Sequence, residues 1–256
     1  MKLSALSAII VYLAGASAFA GTVVENDPSN SVLIPGRTEQ NLGFTLGLGY
    51  DSDYVFRGRE IASNNLSSSL DYSHALSDYF SFKLGTAYRN TPDDKRFSDL
   101  ETSVGLNANL GLVEIGAGYR WFHVFEVPKG TAGKILNNDI NETCLTLSSG
   151  IGPADLTVAV FYDAHTHGFY YDFSVSTEYK INDRISLVPG ISTGLNSDYY
   201  SVSGFSHMKP SLTAPIKLSK NIILTPYVAG NIVFDNLKAI GEKNRVYGGL
   251  SLAVNF

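Results

Sequence analysis

The stretch LGFTLGLGYDSDYVF, residues 42–56, alternates between apolar and polar side chains along its whole length. Its even positions carry leucine, phenylalanine and tyrosine, apart from Ser52, whereas its odd positions carry glycine, threonine, aspartate and one valine. Successive side chains of a β-strand point to opposite faces of the sheet. The stretch therefore predicts a strand with one apolar face and one polar face.

Similar two-faced segments follow this stretch down to the carboxyl end of the chain. They predict strands near residues 42–56, 65–76, 79–89, 99–110, 113–125, 142–149, 156–163, 169–180, 185–195, 206–216, 222–233 and 245–256. Segments of about ten residues with this alternation are typical of transmembrane β-barrels. Because soluble barrels and sandwiches also alternate, with the apolar face turned inward, other features have to decide between the two classes.

The amino terminus has the pattern of a secretory signal peptide. Lys2 precedes an apolar run that extends to Leu13, and small residues precede a predicted cleavage after Ala20. Residues 1–20 are therefore predicted to be removed on export. Residues 21–39 show no periodicity and predict a flexible periplasmic segment, with a short plug inserted into the lumen as the alternative. Residues 40–256 form the predicted barrel.

The composition favours a membrane barrel over a soluble one. Only 17% of the residues are charged, against about 25% in an ordinary soluble protein. After residue 20, the sequence has no apolar run long enough for a membrane-spanning helix. Spanning must then be done by strands, and strands satisfy their backbone groups in lipid only when the sheet closes on itself.

Charged residues of the predicted strands fall on the face opposite the apolar one. A lipid-facing Lys or Arg near mid-membrane costs about 2–4 kcal/mol, so selection produces this segregation. We expect these residues inside the barrel, either contacting solutes or pairing across adjacent strands to brace the wall; Asp51, Asp53 and Arg57 are candidates for such a brace at one strand mouth. The pore-lining candidates are Asp51, Asp53, Arg57, Asp71, Lys83, Arg89, Glu101, Glu114, Arg120, Glu142, Asp172, Glu178, Lys180 and Lys209.

Aromatic residues on the apolar face collect near the strand ends, as expected for side chains at membrane–water interfaces. One predicted girdle contains Tyr54, Phe56, Tyr88, Trp121, Phe125, Tyr162, Phe169 and Tyr171. The other contains Tyr72, Phe80, Tyr179 and Phe256. This placement indicates two interfaces on the outer surface.

The connections between predicted strands alternate between short and long. The short ones are 77–78, 111–112, 150–155, 181–184 and 218–221, and the long ones are 57–64, 90–98, 126–141, 164–168, 196–205 and 235–244. Outer-membrane barrels have short periplasmic turns, so both termini are predicted to be periplasmic in an antiparallel up-and-down barrel of about twelve strands. Ten strands remain an alternative, because 142–149 is mostly Thr and Ser and 206–216 contains two prolines.

Two segments carry resemblances to known sequences. The run GYDSDYVFRG, residues 49–58, followed by SLDYSH, residues 69–74, resembles the opening of the TorF family of outer-membrane proteins regarded as porins. That resemblance implies a monomeric barrel with a role in diffusion. The last strand, ending in Phe256, resembles the signal that bacterial barrel-assembly machinery reads. Both resemblances imply the outer membrane of a Gram-negative-type bacterium.

The small side chains of the polar face indicate whether the lumen is filled or open. A barrel of about eight strands is filled by its own side chains, whereas one of about 16 leaves a wide channel. Gly, Ser, Thr, Ala and Asn cannot fill a twelve-stranded lumen, so we expect water inside unless a loop enters. The loop 126–140 is the predicted constriction. The sequence predicts a porin-like channel for small hydrophilic solutes, weakly cation-preferring or unselective; the alternative is a closed structural or adhesive barrel acting through external loops.

The sequence does not favour an enzyme. A barrel phospholipase needs Ser and His within reach of each other on the outer wall, and neither His74 nor His207 has such a setting. Lone Cys144 forms no internal disulfide, and no nucleotide-binding or nucleic-acid-binding pattern is present in the sequence. We predict no cofactor and no nucleic-acid partner. The predicted partners are outer-membrane lipid, the barrel-assembly machinery and small hydrophilic solutes.

Overall fold

The computed structural model describes residues 42–92, 97–126, 139–199 and 202–256. The predicted signal peptide, its cleavage after Ala20, the segment 21–39 and most of the loop 126–140 lie outside the described residues. Within the described ranges, no helix is long and apolar enough to cross a membrane.

Strands make up most of the described chain. Twelve are long: β1 (Phe44–Phe56), β2 (Arg59–Ala75), β3 (Phe80–Thr91), β4 (Phe97–Asn109), β5 (Val113–Glu126), β6 (Asp139–Ile151), β7 (Ala154–Asp163), β8 (Gly168–Thr177), β10 (Ser186–Ser197), β11 (Gly204–Thr213), β13 (Ile222–Val233) and β14 (Arg245–Asn255). Two short strands, β9 (Tyr179–Lys180) and β12 (Ile216–Lys217), and one helical turn, α1 (Asp235–Ala239), complete the described elements.

The long strands close into an antiparallel barrel. Each pairs with the next long strand along the chain, including β8 with β10 and β11 with β13, and β1 pairs with β14 to complete the circle. The prediction of twelve strands is confirmed, and the alternative of ten strands is wrong. The segment 142–149 lies within β6 and residues 206–213 lie within β11, which ends before Ala214 and Pro215; Pro210 pairs in register with Ile191.

The barrel has two ends, which we name by their connections. The loop end carries the connections that follow β1, β3, β5, β7, β10 and β13; the terminus end carries the turns and the carboxyl terminus. The outer face between the ends is apolar, with Leu48 50% exposed and Leu145 55% exposed. Tyr88 and Phe125 are exposed near the loop end, and Phe80 and Tyr179 near the terminus end, so most of both predicted girdles lies on the outer surface.

Residues 57–64 do not form the external loop that the sequence predicts. β1 and β2 form one continuous hairpin whose turn is Arg57 and Gly58, with φ values of 52° and 80°. Positive φ at both central residues is the geometry of a type I′ hairpin turn. The ladder shifts register between Tyr54 and Val55, and a positive φ at Asn64 marks a second irregularity in the same hairpin. Such irregularities bend strands and redirect their side chains.

The prediction that Tyr54 and Phe56 belong to an outer aromatic girdle is also wrong. The segment 54–62, which we call the hairpin tip, lies inside the barrel, so the walls cover both of its faces. One face packs Tyr54 and Phe56 against Phe97, Phe122 and Val124 of β4 and β5. The other packs Val55 against Tyr227, Ala229 and Tyr247 of β13 and β14. Even and odd positions still point to opposite faces through residue 56, but in the hairpin tip both faces lie inside the barrel.

Candidate functional site: the hairpin tip inside the barrel

Arg57, at the turn of the hairpin tip, reaches the opposite wall of the barrel. Its guanidinium group donates two hydrogen bonds to the carboxylate of Glu142 on β6, from Nη1 to Oε1 and, at 2.8 Å, from Nη2 to Oε2. The hydroxyl of Tyr199, which follows β10, donates to the same Oε1 atom. A bidentate arginine–carboxylate pair fixes orientation as well as distance. Glu142 thus holds the turn in one position.

Four aromatic rings surround the Arg57 guanidinium. The centroids of Phe56, Phe161, Tyr170 and Tyr199 lie 4.5–4.7 Å from its Cζ atom. Cations are attracted to ring faces at such distances, and the attraction grows when water is excluded. The rings come from β1, β7, β8 and the connection after β10, so the hairpin tip is held by several wall segments at once.

The Arg57–Glu142 pair continues into a chain of ion pairs along β3 to β6. Arg120 contacts Glu142 at 3.9 Å and Glu101 at 3.0 Å. Arg89 contacts Glu101 at 2.7 Å and Asp99 at 3.1 Å. We call these residues the charge layer: Arg57, Arg89, Asp99, Glu101, Arg120 and Glu142. Three arginines face three carboxylates, so the charge layer is balanced in formal charge.

A second set of contacts holds the other side of the hairpin tip. Glu242 accepts hydrogen bonds from Arg59 Nε at 3.5 Å and from the backbone N–H of Glu60 at 3.3 Å. Arg245 on β14 contacts Glu60 at 2.7 Å. Asn231 on β13 donates to the backbone oxygen of Gly58 at 2.9 Å. The tip is therefore bonded to walls on both sides of the lumen.

Gly58 fits this position because of its size and backbone conformation. Its φ of 80° disfavours side chains, and a Cβ atom added there would lie 2.6 Å from Nδ1 of His207 on β11. The backbone of the hairpin tip thus rests directly on the β11 wall.

The hairpin tip closes the loop-end half of the interior. No member of the charge layer is more than 3% exposed, and Asp172 and His207 are 0% and 1% exposed. In the terminus-end half, Asp71, Lys83 and Glu114 are only half-buried. The terminus-end half of the interior is therefore less tightly filled than the layer at the tip.

The fourteen predicted pore-lining residues fall into three groups. Eight are buried inside the barrel: Asp51, Arg57, Arg89, Glu101, Arg120, Glu142, Asp172 and Lys209. Five are half-buried: Asp53, Asp71, Lys83, Glu114 and Glu178; Lys180 is exposed in β9. Arg57 pairs with Glu142 and Asp53 contacts Arg245 at 3.9 Å, which are not the partners of the predicted brace. Asp51 instead accepts hydrogen bonds from Asn65 and Tyr227, at 3.0 and 2.7 Å.

Sequence reasoning missed Arg59, Tyr170, Tyr199 and Glu242 as partners of the hairpin tip. The available signal was the FRGR run at residues 56–59, which places two arginines around a glycine beside a strand rich in aromatic residues. Its partners lie up to 183 positions away, as in the Arg59–Glu242 pair. No local pattern connects residues so distant in the chain.

Comparisons with known proteins find similarity in structure and not in sequence. No family model and no curated protein matches the chain. The COG4313 outer membrane channel from Pseudomonas putida F1 matches with a TM-score of 0.58 at 13% identity, covering 88% of this chain and 100% of that one. LpxR from Salmonella typhimurium matches with a TM-score of 0.54 at 10% identity, covering 83% and 100%. The NanC porin matches with a TM-score of 0.51 at 11% identity, covering 83% and 98%.

These similarities establish the fold. The described chain is an all-β protein with a closed twelve-stranded antiparallel barrel, and the solved structures that it resembles include an outer-membrane channel and a porin. Its fold is the closed antiparallel barrel that these outer-membrane proteins also have.

Proposed function

We propose that the protein is a porin-like channel of a bacterial outer membrane, crossed passively by small hydrophilic solutes, and that the hairpin tip opens and closes it. The observation that carries the proposal is the buried charge layer around Arg57. A barrel that is only structural gains little from such a layer, because replacing buried ion pairs by apolar residues is often neutral or stabilising. A row of charged side chains across the lumen is expected in a channel, because the path that solutes take has to be hydrophilic when the channel is open.

The position of the closure supports this function. In the terminus-end half of the interior, Asp71, Lys83 and Glu114 are half-buried and the interior is less tightly filled. Beyond it, the hairpin tip separates this space from the loop end. The tip belongs to one hairpin with two backbone irregularities, at Tyr54/Val55 and at Asn64, where it bends away from the wall. Displacement of one hairpin would expose a lumen that is polar along its length.

A weak preference for cations is part of the proposal. The candidate lining residues comprise eight acids and six bases. Displacing Arg57 also removes one positive charge from the charge layer and leaves a carboxylate in excess there. Interior charges of one sign favour permeating ions of the other. We further propose that the terminus end faces the periplasm, because its connections are the short ones.

The second candidate function is a closed structural or adhesive barrel that acts through its loop-end connections. The closure of the lumen by the hairpin tip favours it. An enzymatic role has less support, since the adjacent pair Ser206 and His207, with Oγ and Nδ1 3.0 Å apart, is buried inside the barrel and away from lipid.

Single-channel recording of the refolded mature protein in a planar bilayer tests the proposal. The expected result is discrete current steps separated by long closed periods, with a reversal potential under a salt gradient that shows weak cation preference. A protein that folds as a barrel, inserts and passes no current under any voltage would contradict the channel and support the closed barrel.

A further inference from the structure

The wall formed by β10, β11 and β13, beneath the hairpin tip, carries several buried polar atoms that lack partners. Ser192 Oγ, both polar side-chain atoms of Asn196, His207 Nε2 and Asn231 Oδ1 make no hydrogen bond within the described chain. All four residues are at most 2% exposed. Buried polar groups are almost always hydrogen-bonded in native proteins, so a cluster of exceptions points to a bound molecule.

Strand register places Ser192, His207 and Asn231 around Lys209, whereas Asn196 pairs with Gly204, nearer the loop end. Ser192 pairs directly with Lys209, and Gly194 pairs with His207 on the neighbouring rung. The pairing of His207 with Val233 and of Ser211 with Ala229 puts Asn231 beside Lys209 on the other side. One interior patch therefore contains a hydroxyl, an imidazole and an amide around a lysine.

Lys209 is the charged group of this patch. It is 3% exposed, and within the described ranges no carboxylate forms an ion pair with its ammonium group. A buried charge is costly unless a partner compensates it. Among the described residues, the arginines of the nearby charge layer all have carboxylate partners, so this lysine stands apart from that pattern.

We propose that this patch is a solute-binding subsite that takes a small hydroxylated monocarboxylate; the inference rests on the proposed channel function, whose weak cation preference still admits monoanions at a local positive charge. The carboxylate contacts Lys209, and solute hydroxyl groups bond Ser192, Asn196, His207 and Asn231. A single ammonium group compensates a single negative charge. A second negative charge would be repelled by Asp172, which pairs with Gly194 on the adjoining strand, and a neutral polyol would leave Lys209 uncompensated.

The hairpin tip covers this subsite. Gly58 packs on His207, and Asn231 donates to the backbone oxygen of Gly58. A solute in the patch therefore competes with the closed position of the tip. Occupancy of the subsite is expected to favour the open hairpin, because a ligand shifts an equilibrium toward the state that it binds more tightly.

Calorimetric titration tests the subsite without any measurement of current. Gluconate, a hydroxylated monocarboxylate, is titrated into the folded mature protein in detergent, alongside sorbitol as the neutral analogue and glucose 6-phosphate as the dianionic one. Each titration is repeated with Arg57→Ala, in which the tip is released. Gluconate is expected to bind at least about tenfold more tightly than either analogue, since hydrogen bonds to charged groups are the strong ones.

The variants Lys209→Gln and Ser192→Ala test the assignment to this wall, with Lys220→Gln as the control because Lys220 is an exposed lysine in a turn. Lys209→Gln is expected to weaken gluconate binding by about tenfold or more and Ser192→Ala by a smaller factor, whereas Lys220→Gln leaves it unchanged. If no gluconate binds in either background, or if Lys209→Gln binds it normally, the subsite is overturned. Gluconate binding by a protein that passes no current would instead overturn the channel and leave the subsite standing.

Discussion

Arg57 and Glu142 form a bidentate ion pair although they lie 85 residues apart in the chain. Arg57 is on the turn of a hairpin and Glu142 is on a strand across the lumen, so the bond spans the space that a solute would have to cross. Both side chains are at most 1% exposed. The pair thus ties the hairpin tip to the far wall, and breaking it should affect stability and, in the proposed channel, permeation.

Replacing Arg57 by alanine should open the channel more often and destabilise the barrel. The substitution leaves Glu142 buried with a more distant arginine, and removing one partner of a buried pair costs about 3–5 kcal/mol. Bilayer recordings should show a higher fraction of time in the conducting state, and urea titration a lower free energy of unfolding. Arg184→Ala, which removes an exposed arginine in a terminus-end turn, is the matched control and should change neither.

Double substitution at positions 57 and 142 should cost less than the two single substitutions added together. Arg57→Met and Glu142→Gln each leave one buried partner with an unmet charge, whereas the double variant removes both sides of the pair. The coupling free energy from urea unfolding should exceed about 1 kcal/mol, as expected for side chains that share a hydrogen-bonded network. Additive effects would show that the pair does not hold the hairpin tip.

Two substitutions of Tyr199 should separate the contribution of its hydroxyl group to the free energy of unfolding from that of its ring. Tyr199→Phe keeps the ring beside Arg57 and loses the hydrogen bond to Glu142, at an expected cost of about 1–3 kcal/mol. Tyr199→Ala also removes the ring and leaves a cavity, so its cost should rise to about 3–5 kcal/mol. Equal unfolding free energies for the two variants would exclude a role for the aromatic surround.

The outer face should tolerate charge only near its edges. Leu145, near the middle of β6, is 55% exposed, and Leu145→Arg should cost about 2–4 kcal/mol of folding free energy in lipid vesicles. Phe125→Arg, near the loop end of β5, should cost only about 0–1 kcal/mol. If both substitutions cost the same small amount, the outer face does not contact hydrocarbon.

The strands and their two faces could be predicted because that information is local. Residues 42–52 alternate between an exposed apolar face and a polar face turned to the interior, and the turns between strands are marked by Gly, Asn and Ser. The predicted bounds of the twelve strands differ from the observed ones by only a few residues in most cases, as for 113–125 against β5 (Val113–Glu126).

The closure of the lumen could not be predicted in the same way. Tyr54 and Phe56 occupy even positions like the apolar residues before them, so the sequence pattern predicts that they face lipid. The hairpin tip is enclosed on both sides, however, and there the pattern does not separate an outer face from an inner one. The identity of each partner depends on which strands face each other across the barrel. That is a property of the closed sheet and not of any segment.

A reversible cross-link between the hairpin tip and the wall tests the central claim most directly. A Cβ atom at residue 58 would lie 2.7 Å from Cγ of His207. Cysteines at these two positions therefore bring their Cβ atoms close enough for a disulfide, in which the Cβ atoms lie about 4 Å apart. The variant Gly58→Cys, His207→Cys carries Cys144→Ala to remove the native thiol, and the two single-cysteine variants serve as controls.

The decisive measurement is the single-channel current of this oxidised variant before and after a reductant is added to the same bilayer. We predict no current while the disulfide holds the hairpin tip against β11, and discrete steps once it is reduced. Current that is the same before and after reduction, with the disulfide verified beforehand, would contradict the account, because solutes would then cross without any movement of the hairpin.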